Sequence, residues 1–275
     1  MNEPHQDLAQ QALEHPVKYT FILTKEIIQL NTKLFTSLAA IIVVLGIASV
    51  FLPNINFLFT TLINVLLFCL FFFVGKTFDH AKQMHEFVTQ IEAETLSDLW
   101  TKYAGPSIGA YLGWIVAIIP IGLLIAVIIF SGQNDEAIQG AFQQGNVEAL
   151  LSFLPFLVLS FAIIGLVLYV TPLVFVNILR TDNFNDAFKS VFSLYQSSLW
   201  KRAFTSAYFK YMTVLGLSLT GIIIIFTLLM GLLESPATIQ GLGIIFIVFT
   251  LLLQIVVNII YAISAMIADR LSPDM

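Results

Sequence analysis

The chain has 275 residues, 58% of them hydrophobic and 11% charged, and a formal net charge of −5, with a mean hydropathy of +0.92. So little charge cannot cover a water-facing surface, which excludes a soluble globular domain. The net charge is not informative by itself, and no nucleic-acid partner is expected.

A hydrocarbon core of about 30 Å needs about 20 helical residues per crossing. The composition therefore points to an all-α fold, a polytopic membrane helical bundle forming one integral membrane domain over 1–275. We expect six transmembrane helices arranged as three hairpins, each preceded by a cytoplasmic interfacial amphipathic helix.

Residues 1–33 are the first polar segment. Residues 1–15 carry Glu3, Asp7 and Glu14, and Pro16 suits the first turn of a helix. From 17 to 33 the apolar Phe21, Ile22, Ile28 and Leu30 alternate with Lys18, Lys25, Glu26 and Lys33, an interfacial composition. No short apolar core with a small-residue cleavage site stands here, so insertion is expected to rely on the spans. Spans one and two, 34–52 and 57–74 within 34–75, are joined by the uncharged turn Pro53-Asn54-Ile55-Asn56 and should form a hairpin.

Residues 76–106 are polar again. Met84, Phe87, Val88, Ile91, Leu99, Trp100 and Tyr103 recur at three- and four-residue steps, which predicts an amphipathic helix, with Lys82 and Glu86 one turn apart on its wet face. Spans three and four, 108–130 and 150–179 within 107–179, contain Pro120, Pro155 and Pro172, where kinks are expected. The loop between them, 131–148, carries Asp135, Glu136 and Glu148 and no basic residue.

Residues 180–206 are a basic cytoplasmic segment. The spacing predicts one helix over 183–200 that buries Phe184, Ala187, Phe188, Val191, Phe192, Tyr195 and Leu199 on a broad face. That face meets either the lipid boundary or the underside of the bundle. In the lipid version, Arg180, Lys189, Trp200, Lys201 and Arg202 are the candidate anionic-lipid contacts. Spans five and six, 208–233 and 242–267 within 207–267, are separated by Glu234-Ser235-Pro236.

All 12 Lys and Arg fall within 18–33, 76–102, 180–210 and at 270. The loops containing Asn54, Gln143 and Pro236 have none. The positive-inside rule then places both termini in the cytoplasm of a bacterial inner membrane. A Ser-x-Leu-Trp-x-basic echo, Ser97 to Lys102 and Ser197 to Arg202, fits either internal duplication or the general preference for Trp beside a cation at interfaces.

Little in the sequence points to chemistry. His80 and His85 are five residues apart, about 140° around a helix, and cannot converge on one ion. The single cysteine, Cys69, lies in an apolar run and offers no disulfide or metal framework. Neither a phosphate-binding loop nor a dinucleotide fingerprint is present. No Asp, Glu, Lys, Arg or His occupies the core of a span, whereas ion-coupled carriers usually keep one there. Gln254, Asn258 and Tyr261 share one face of the sixth span and are the candidate intramembrane polar face, either for interhelical hydrogen bonds or for a polar path.

Tyr169-Val170-Thr171-Pro172, followed by Asn183 to Ser190 and Leu194, resembles a pattern in several uncharacterised bacterial and archaeal multi-pass families. These families are similar to the membrane domain attached to some glycerophosphodiester phosphodiesterases. The resemblance covers about the second half of the chain. It implies an integral membrane protein with no assigned reaction, and it carries over no catalytic residue.

The expected function is non-enzymatic and cofactor-free: binding of membrane lipids, or of a membrane or cytoplasmic protein, through the cytoplasmic helices. The alternative is a permease for a neutral or apolar solute.

Overall fold

The computed structural model describes residues 13–81, 83–130, 147–233 and 239–272; for 129, 130, 147–153, 223, 225–233 and 239–245 it describes the backbone only. Ten α-helices and two 3-10 turns make up the described chain. The helices are α1 (Pro16–Leu30), α2 (Thr32–Phe51), α3 (Asn56–His80), α4 (Met84–Ala93), α5 (Leu96–Phe130), α6 (Val147–Leu179), α7 (Phe184–Ser190), α8 (Ser197–Ala203), α9 (Ser206–Leu233) and α10 (Ile239–Leu271). Among the described residues, five helical stretches are long and apolar enough to cross a membrane: Thr32–Phe51, Pro53–His80, Leu96–Ile128, Leu154–Leu179 and Phe246–Leu271. The chain is thus built as a multi-pass membrane protein.

The centre is α3. From Cys69 to Gly75 every residue is buried, the signature of a helix surrounded on all sides. α2, α5 and α10 pack around it, and α10 in turn packs against α1, α2, α6 and α9. Lipid tails are as apolar as leucine, so apolar surface alone does not drive such helices together; close packing and hydrogen bonds do.

Two capping devices set the polar connections. Asn31, buried between α1 and α2, accepts from the Leu34 backbone N–H at 3.0 Å. Its Nδ2 donates to the carbonyls of Ile91 at 2.7 Å and Glu94 at 2.8 Å, which ties the end of α4 to the start of α2. Thr95 starts α5: its Oγ1 accepts from the Asp98 N–H at 3.2 Å and donates to the Asp98 carboxylate at 2.6 Å.

That cap corrects the sequence expectation for 76–106. The segment is not one amphipathic helix: α3 runs on to His80, only Met84–Ala93 stands as a separate helix, and Leu99, Trp100 and Tyr103 belong to the 35-residue α5. Lys82, and with it the pair to Glu86, lies outside the described residues, as do Gln143, Pro236 and the loops around them.

A second correction concerns 183–200. A single helix there would carry the chain about 25 Å onward, yet Arg180 and Arg202 both reach the one carboxylate of Asp269. The segment must therefore fold back. Asn183 caps α7 through the Asp186 N–H at 2.9 Å, a 3-10 turn follows over Val191–Tyr195, and α8 returns.

α7 lies against α5 at Gly109 and Gly113. A Cβ on Gly109 would run into the Phe184 carbonyl, and one on Gly113 would sit 2.7 Å from the Phe188 carbonyl oxygen. Four residues apart on one face, these glycines form a notch that admits a neighbouring backbone. The Tyr195 hydroxyl donates to the Ala117 carbonyl one turn further along α5.

Candidate functional site

α1 packs against α4, α9 and α10, and its buried face is Thr20, Leu23, Thr24 and Ile27. The apolar residues singled out from the sequence, Phe21, Ile22, Ile28 and Leu30, are instead half-buried or exposed. The reason is that α1 has two apolar sides. One meets the bundle, and Phe21 and Ile28 of the other line a chamber.

This chamber measures about 820 Å³ and lies between α1, α6, α9 and α10. Its walls include Leu168, Leu215, Leu219, Val256 and Ile260, with Gly165 and Gly216 leaving room on α6 and α9. Thr24, Lys25 and Gln29 of α1 are the polar residues of its α1 side, the last two exposed, and Lys25 is the one charged residue among the described lining. Apolar walls with few polar groups at a site of this size are what a small-molecule pocket offers.

Tyrosines hold the base of the chamber. Tyr169, itself part of the lining, donates to the Ala203 carbonyl, and Tyr208 donates to the Tyr169 carbonyl. Tyr211 and Thr20 share a hydrogen bond of 3.0 Å between their hydroxyls, joining α9 to α1. Beyond these pins α9 still buries Leu215 against the core, but a Cβ on Gly216 or Gly221 would meet nothing within 4 Å.

No family model, curated protein or solved structure matches the chain.

The residues singled out from the sequence fall into two sets. Arg202 is 6% exposed; its Nε donates to the Ser272 carbonyl at 2.7 Å and its Nη2 to Asp269 at 2.7 Å, while the Ser272 hydroxyl donates back to the Arg202 carbonyl. Arg180 meets the other oxygen of Asp269 at 2.8 Å. The indole N–H of Trp200 donates to the Leu194 carbonyl at 2.8 Å. These three bind the 180–203 segment to itself and to the end of α10. Lys189 and Lys201 are exposed.

A smaller cavity of about 240 Å³ lies nearby among Lys76, Asp79, His80, Arg180 and Asp182. Its cations already have acidic partners: Lys76 pairs with Asp182 and Arg180 with Asp269.

Gln254, Asn258 and Tyr261 have different surroundings. Gln254 is exposed, Asn258 donates to the Gln254 carbonyl within its own helix at 3.0 Å, and Tyr261 alone lines the chamber and packs against Phe175. Sequence reasoning missed the chamber. The seven-residue spacing of Lys18 and Lys25 puts both on one exposed stripe of α1 beside Ile22 and Gln29, but it marks that stripe and not the void beside it.

Burial, helped by the neighbouring Glu26, pushes the Tyr19 phenol up to about 12, so the ring stays neutral where α1 meets the bundle.

Proposed function

We propose that this chain is a six-span bacterial inner-membrane protein, both termini cytoplasmic, that holds a lipid-like amphiphile without transforming it. The observation that carries this is the chamber of about 820 Å³, lined mostly by apolar residues, with the exposed Lys25 and Gln29 of α1 among its walls. The partition of the basic residues supports the orientation. α9, 28 residues long, supplies the sixth crossing. The interfacial α1 is then a wall of the site as well as a membrane anchor. The resemblance of the second half to the membrane domain of some glycerophosphodiester phosphodiesterases is a further reason to read it as a membrane unit.

The test is native mass spectrometry of the protein released from nanodiscs. The wild type should retain at least one amphiphile, and Gly216→Trp, which points a large ring into the chamber from a position with open space, should lose it. Wild-type protein released bare overturns the proposal.

A permease for a neutral or apolar solute is the second reading. It is favoured by Pro155 and Pro172 within α6, one wall of the chamber, because prolines give a span a place to bend. Solute uptake into proteoliposomes that Gly216→Trp abolishes would favour it.

A further inference from the structure

The chamber's occupant can be specified by charge and length. Among the described residues its lining on α9 runs from Met212 to Ile222, about 15 Å at helical rise, room for much of a chain that fills one leaflet, half of a hydrocarbon core of about 30 Å. At the α1 end stands Lys25, exposed, with Gln29 one turn on; Glu26, next in sequence, is not part of the lining. Lys18 extends the same positive stripe. Among the described residues, no acidic side chain lines the chamber to offset Lys25.

We infer that the chamber takes a single-chain amphiphile with an anionic head of the fatty-acid type, its chain along α9 and its head at Lys25 and Gln29. This rests on the reading of the chamber as a lipid-binding site. The chain replaces contact with bulk lipid by contact with the helix walls and gains little from that exchange alone. The head supplies the selectivity: a carboxylate accepts from the Lys25 ammonium and the Gln29 amide, while an alcohol forfeits the charge and an ammonium is repelled. Lys25 lies at the edge of the chamber, so substitutions there leave the packed face of α1, Thr20, Leu23, Thr24 and Ile27, untouched.

The experiment is photo-crosslinking of the full chain in nanodiscs with three C16 probes carrying a mid-chain diazirine, with carboxylate, alcohol or ammonium heads, plus a two-chain phosphatidylcholine probe. Adducts are mapped by mass spectrometry. The inference expects the carboxylate probe to label chamber residues about fivefold more than the alcohol probe. That preference should survive Lys25→Arg, vanish in Lys25→Gln, and be unaffected by Lys189→Glu on the distant exposed segment.

Equal chamber labelling by all three heads, unchanged by Lys25→Gln, overturns the anionic-head inference and leaves the binding site standing. Phosphatidylcholine labelling the chamber as strongly as the carboxylate probe overturns the single-chain assignment. No probe labelling the chamber in wild type, with labelling elsewhere equal in Gly216→Trp, overturns the binding site itself.

Discussion

Arg202 and Asp269 show how one contact decides what a basic residue is for. Breaking a buried ion pair by removing one partner typically costs about 3–5 kcal/mol, because the remaining charge stays desolvated. Here Arg202 is buried but Asp269 and Arg180 are partly exposed, so we expect Asp269→Asn to lower stability in detergent by about 1–3 kcal/mol, measured by denaturant or thermal unfolding, since it strips the counter-ion from both arginines. Charge reversal at the exposed Lys189 and Lys201 should instead leave stability within about 0.5 kcal/mol. An Asp269→Asn protein as stable as wild type would remove the lock from the account. From the sequence, Arg180, Lys189, Lys201 and Arg202 were four equivalent cations; only the fold-back to Asp269 separates them, and no local pattern encodes that. Tyr19 gives a second residue-level expectation. Its phenol is raised from an ordinary value near 10 to about 12. The stability it contributes is complete below about pH 10 and is lost as the pH rises toward 12. Tyr19→Phe should therefore lose less stability than wild type across that window, and parallel curves would refute it.

At the scale of elements, the notch on α5 is the sharpest test. Gly109→Ala should displace α7, because the new methyl meets the Phe184 backbone carbonyl, which cannot rotate away like a side-chain tip. We expect a loss of about 1–3 kcal/mol and faster hydrogen exchange across Phe184–Ser190. On the same helix, Gly122→Ala has open space and should be neutral or stabilising by up to about 1 kcal/mol. Equal effects of the two would mean that α7 does not depend on the notch. The helical character and the five long apolar stretches were legible because twenty-residue apolar runs have few alternatives. The starts of α5 and α7 were also written locally, in Thr95 with Asp98 and in Asn183 with Asp186. What was not legible was the break after Ser190: an apolar stripe at three- and four-residue spacing suits a straight helix at the interface as well as a folded segment against Gly109 and Gly113.

For the whole molecule, the partition of basic residues predicts its sidedness. With the buried Cys69 replaced by alanine, a single cysteine at Asn54 should react with an impermeant maleimide added to the periplasmic face. One at His85 should react only after permeabilisation, and the reverse pattern would invert the topology. The chamber could not be foreseen because its walls come from four helices far apart in sequence, α1, α6, α9 and α10, and a void has no pattern of its own.

The position of Asp269 also bears on how the protein is made. Its contacts to Arg180 and Arg202 span 89 and 67 residues of chain. During synthesis both arginines therefore leave the ribosome long before their shared carboxylate exists, while Gly109 and Gly113, the seat for α7, are already in place. The 180–203 segment can dock on α5 early, but it is sealed only when the end of α10 arrives. A nascent chain stalled before residue 269 would thus hold both arginines without their shared counter-ion.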